Sequence, residues 1–134
     1  MMMRACALIG GARLAVLVVE AWLGLLAFDV VRPAGFARLS GWLRRCRTAT
    51  PSRMSTAAVV WGVDEACVWY VKRAMCLQRS VVATWLMRRH GIAAEMVIGF
   101  RPLPFESHAW VEVDGEVVND RPQYQRTFRV LDRL

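Results

Sequence analysis

Thiol–imidazole chemistry in this 134-residue sequence has to be built from four cysteines and two histidines. A cysteine nucleophile needs an imidazole within hydrogen-bond reach and a third group that orients the imidazole. His90 follows Cys76 by fourteen residues on one expected helix, a separation of ~21 Å at 1.5 Å per residue. Any pairing with Cys76 therefore falls to His108. Cys6 lies near the N-terminus, Cys46 in an Arg-rich helix end, and Cys67 among apolar helical neighbours. These three read as small buried hydrophobes. Cys76 differs, because it opens a helix just after Lys72 and Arg73, where free amides and the positive helix end favour a thiolate. Residue type alone leaves both readings of Cys76 open, a packed thiol or a nucleophile.

The orienting group is sought in "SHAWVEVDGEVVND", residues 107–120. On an alternating strand His108, Trp110 and Glu112 share one face, while Ala109, Val111 and Val113 share the other, which suits a core. A two-residue Asp114-Gly115 turn would pair 108 with 121 and point Asp120 away. A three-residue loop, Val113 to Gly115 with the glycine left-handed, pairs 108 with 120. We expect the three-residue loop, because it lets Asp120 reach the imidazole. Glu112 is the rival orienter but sits about 13 Å further along its strand. Asn119 is expected on the wrong face.

These residues need a scaffold. The length suits one domain, 1–134, divided into a helical region (1–54) and a catalytic core (55–134) that could bury roughly 65–70% of its unfolded surface. Helices are expected over 12–31, around 36–47, from a Ser55 or Thr56 cap to about 73, and from Cys76 to a Gly91 C-cap. The third should turn Val60, Val63, Cys67 and Tyr70 to the core. The pattern then changes: 93–101 alternates, "PLPFES" is a rigid loop, 108–120 is a hairpin, and a last strand lies around 127–131. Helices first and antiparallel strands second make an α+β fold, the helical half packed on a C-terminal sheet.

Composition narrows the function classes. The cysteines form no CxxC pair and have no histidine at ligand spacing, so neither a metal nor a cofactor is expected. Free thiols and no convincing export signal point to a cytoplasmic location. Arg13, Glu20 and Asp29 interrupt the apolar N-terminus, which reads as a buried amphipathic helix rather than a membrane span; membrane-surface contact is the minority reading. The +7 charge is spread over scattered arginines without interleaved aromatics, so nucleic acid is not an expected partner. With 56% hydrophobic residues and mean hydropathy +0.30, some exposed apolar surface should be covered by another molecule.

The stretch "CLQRSVVATWLMRRHGIAAEMVIGFRPLPFESHAWVEVDGEVVND" resembles the transglutaminase-like cysteine peptidases of lasso-peptide biosynthesis, which remove the leader from a ribosomally made precursor. The resemblance rests on Cys76, Leu77, Ser80, Gly91, His108, Ala109, Trp110, Val111, Glu112, Gly115 and Asp120. It implies a papain-like core with Cys76 as nucleophile, His108 as general base and then acid, and Asp120 as orienter. It also implies a precursor peptide as substrate, a pocket for a penultimate leader Thr, and a separate lasso cyclase. The helical residues 1–75 lack the β-rich pattern of a leader-recognition domain, so a separate leader-recognition protein is expected. Two other classes stay open: a transamidase or acyltransferase of the same fold, and a non-catalytic peptide-binding module.

Overall fold

The computed structural model describes residues 2–49 and 54–134, with side chains from Gly10 onward; the Cys6 side chain and residues 50–53 lie outside that set. Helix α1 (Met2–Val31) leads through a short 3-10 turn, Arg32–Ala34, into α2 (Phe36–Arg45). Next come α3 (Thr56–Val68) and α4 (Cys76–Arg89). Strands β1 (Ala94–Pro102), β2 (Phe105–Val113) and β3 (Glu116–Val117) follow, then a single turn α5 (Tyr124–Thr127) and strand β4 (Arg129–Arg133). The fold is α+β, helices packed on an antiparallel sheet ordered β3-β2-β1-β4.

Local signals explain most element ends. The Ser55 side chain accepts the Ala58 amide and so satisfies one of the free N–H groups that open α3. Helix α3 stops at Val68, five residues short of the expected end, and its buried stripe is Val59, Gly62, Val63 and Ala66. Of the residues expected to face inward, Val63 and Tyr70 are buried, while Val60 and Cys67 are partly exposed. Gly91 adopts the left-handed conformation just past α4, as a helix C-cap requires. The expected rigid loop "PLPFES" is mostly strand: β1 and β2 pair through Pro102–Phe105, so only Leu103 and Pro104 turn the chain.

One side of α1, carrying Leu17, Ala21, Leu25 and Phe28, is buried. Most of that side meets Val59, Val63 and Ala66 of α3 and Val82, Ala83 and Leu86 of α4 in the main core. The expectation of an amphipathic helix fails on the opposite side, which is apolar as well: Val16, Val19, Leu23, Leu26 and Val30 are all at least 41% exposed. Both carboxylates that interrupt the sequence turn inward. Glu20 pairs with Arg89 at 2.8 Å and His90 at 3.3 Å, and Asp29 pairs with Lys72 at 2.7 Å.

Arg88 ties distant stretches together. Its guanidinium donates to the carbonyl oxygens of Leu43, Cys46, Ala94 and Leu134, at 2.6, 3.4, 2.9 and 2.8 Å. The loop after α2 returns a bond, the Ala49 amide donating to the Arg88 carbonyl.

Candidate active site

Helix α4 begins at Cys76, with Met75 as its N-cap residue. The thiol lies beside the His108 ring of β2, close enough that each group shifts the other's titration. The other side of that imidazole is held by Asp120, whose Oδ2 is 2.9 Å from Nε2, which leaves Nδ1 for the sulfur. Cys76, His108 and Asp120 are thus brought together, each partly buried. His90 is on the far end of α4 with Glu20, away from the thiol, as its spacing predicted.

The electrostatics draw the two titrations toward each other. The His108 hydrogen bond, with further bonds from the Ala109 and Leu77 amides, outweighs burial and holds the Cys76 thiol below its ordinary 9.0. His108 is raised from 6.5, first by the bond to Cys76 and then by Asp120, against the opposing effect of burial. Lys72, which precedes the helix, has its charge engaged by Asp29. Cys46 and Cys67 are shifted the other way, chiefly by burial. Iodoacetamide should therefore alkylate Cys76 first, with an inflection below 9.0, while Cys46 and Cys67 react slowly. In His108→Ala the largest cause is removed and the inflection should rise. Peptide mapping of the alkylated cysteines at a series of pH values checks both; an unmoved inflection in the variant would refute the pairing.

Asp120 arrives by a route that corrects the expected hairpin. Glu112 pairs with Val117 and Val113 with Glu116, so Asp114 and Gly115 alone form the turn, both at positive φ (53° and 80°). This is the two-residue Asp-Gly turn that matches strand twist. It does not strand the aspartate, because the ladder stops after Val117 and Val118, whose amide donates to the Val111 carbonyl. Beyond that point Asn119 takes over. Its Oδ1 accepts the Val111 amide at 2.8 Å, and its Nδ2 donates to Ser80 Oγ at 3.3 Å. Ser80 in turn donates to the Ala109 carbonyl at 3.1 Å. Asn119, expected on the face away from His108, knits α4 to β2 there, and Asp120 follows it at the imidazole.

The His108 face of β2 is not open to solvent, because an aromatic shell from the C-terminal segment covers it. Tyr124 lies 4.4 Å from the imidazole by ring centroid, Phe128 6.0 Å, and Trp110 6.4 Å. Glu112, the rival orienter, is occupied in anchoring this shell. It accepts from Trp110 Nε1 (3.0 Å), Gln125 Nε2 (3.0 Å) and Arg133 (2.9 Å). Burial pushes its carboxyl up, but those three donors prevail and hold it below 4.5. Opposite His108 across the ladder is Gly99. A Cβ there would lie 2.6 Å from the Trp110 ring and 2.9 Å from Phe128 Cβ. A glycine inside a strand signals such an approach, and it was the one sequence clue to this shell.

Residues 22–133 match the transglutaminase-like superfamily. The microcin J25-processing protein McjB of Escherichia coli is 41% identical over 59 residues, a match covering 44% of this chain and 28% of that protein. No solved structure matches the chain. With 112 of its 134 residues inside that match, the chain belongs to the transglutaminase-like superfamily.

Proposed function

We propose that this protein is a cysteine endopeptidase that removes the leader from a ribosomally made lasso-peptide precursor. The observation that carries the reading is the cluster itself, a Cys76 thiol on a helix start beside an imidazole whose Nε2 is 2.9 Å from the Asp120 carboxylate, thiol and ring each shifting the other's titration. The name of the partial relative, a microcin-processing protein, supports the substrate class.

In this reading the Cys76 thiolate attacks the carbonyl carbon of the last leader residue. Donors near the sulfur, the Ala109 and Leu77 amides among them, favour negative charge at this spot. The tetrahedral adduct collapses as imidazolium His108 gives its proton to the departing nitrogen. The core leaves with a free amine and the leader remains as a thioester on Sγ. Water then attacks with His108 as base, releasing the leader carboxylate and restoring the thiolate–imidazolium pair. Asp120 keeps the ring in the orientation both steps use. Leader recognition falls to a separate protein, which raises the effective concentration of the scissile bond; the freed amine passes to a cyclase.

The test is incubation of the protein with a precursor peptide and a leader-binding partner, read by mass spectrometry. A leader bearing a free carboxylate and a core bearing a free amine support the reading. A new amide formed with added amine would instead identify an acyl transferase. Asp120→Ala should slow cleavage by about 10–10³-fold, and less than His108→Ala, because orientation is one step removed from proton transfer. Single-turnover rates decide this; equal losses would show that the pair acts as one unit.

A further inference from the structure

The charge of this molecule is distributed unevenly along the chain. Residues 1–63 hold eight arginines and only two carboxylates, whereas residues 64–134 hold ten cations and nine carboxylates. Those two carboxylates, Glu20 and Asp29, are the inward-turned ones, each in an ion pair with the body of the protein. The outer face of α1 is therefore uninterrupted: Ala15, Val16, Val19, Leu23, Leu26, Ala27, Val30 and Val31 are exposed without a charge among them. Exposed arginines flank this face, Arg13 before it and Arg32 and Arg38 after it.

The apolar surface continues from α1 into α2. A groove of about 620 Å³ runs between α1, α2 and α4, lined by Leu23, Phe28, Val31, Leu39, Val81 and Trp85, with Arg38 beside it. Trp42, 46% exposed, also lines the groove, and Phe36, 47% exposed, opens α2. Apolar side chains backed by cations, with aromatics between, is the pattern of a surface that sits at a lipid–water boundary.

We propose that the outer face of α1 and this groove form a docking surface for an anionic lipid bilayer, with α1 lying in the plane of the interface. The stretch Gly10–Ala34 is long and apolar enough to cross a membrane. Crossing would strip Leu17, Ala21, Leu25 and Phe28 from the core and carry Glu20 and Asp29 into hydrocarbon. Lying flat costs neither: the inner side keeps its partners while the outer side leaves water. The occupant is lipid rather than a polar partner because the face offers no hydrogen-bonding side chain between Arg13 and Arg32, and its rim charge is all positive. The proposal is independent of the peptidase reading.

Flotation of the full-length protein with vesicles tests it. Binding is expected to vesicles of mixed phosphatidylcholine and phosphatidylglycerol, to fall with added salt, and to be weak with phosphatidylcholine alone. Val19→Glu with Leu26→Glu should abolish flotation; both side chains are exposed, so the melting temperature should hold. Arg38→Ala, which leaves the apolar face untouched, should weaken binding about fivefold. A wild-type protein that stays out of anionic vesicles overturns the proposal, as does binding unaffected by both variants. So does a concentration-dependent dimer, without flotation, that Val19→Glu/Leu26→Glu dissociates, which would assign the face to a second copy of the chain.

Discussion

Cys76→Ala is expected to reduce the proposed leader removal by roughly 10⁴-fold or more, because the substitution deletes the sulfur that would carry the acyl group. The substitution removes one sulfur from a partly buried position at the first turn of α4, so the far-ultraviolet spectrum and melting temperature should change little. Cys46→Ala and Cys67→Ala serve as controls, since burial holds both thiols in the unreactive form. Each should cleave at the parental rate. Quantitative mass spectrometry of precursor and core over a full time course makes the comparison. Measurable turnover by Cys76→Ala would remove the nucleophile from the mechanism.

Gly99→Val is the second large effect expected, and it acts without touching the thiol. Even the first carbon of the new side chain would sit 2.6 Å from Trp110, which is fully buried and has no room to retreat. Overpacking of this kind costs about 1–3 kcal/mol. The displaced rings are the ones that stack about His108, so the imidazole loses its fixed position as the domain loses stability. A melting temperature lower by several degrees should accompany a rate reduced by at least 10-fold, since small misplacement of a catalytic group is amplified in rate. Thermal unfolding and single-turnover cleavage measure the two together. Parental values in both would mean that the aromatic shell yields more easily than its burial implies.

The three residues proposed to react were legible as candidates because their signals are local. Cys76 opens a helix, His108 lies in an alternating strand, and Asp120 closes a short return. The path to Asp120 was misread, though. Choosing the three-residue loop assumed that strand pairing continues to 120, whereas the ladder ends at Val118 and Asn119 carries the chain onward through two side-chain bonds. That outcome depends on Ser80 of α4, thirty-nine residues away, and no local pattern encodes it. The aromatic shell was hidden for a similar reason. Tyr124 and Phe128 meet His108 only after β4 has paired with β1, with a register shift beside Gly99. The inward turn of Glu20 and Asp29 was also invisible in sequence, where both simply interrupt an apolar run. Their partners, Arg89, His90 and Lys72, are supplied by other elements.

Arg88 carries a consequence for how this molecule comes apart. One planar cation gathers oxygens from the end of α2, from the start of β1 and from Leu134, so three boundaries share a single fastening. Peeling away the first helices would orphan two of those acceptors and, with them, part of what clasps the sheet. The helical half is thus no detachable prefix: loosening at either end is felt at the other.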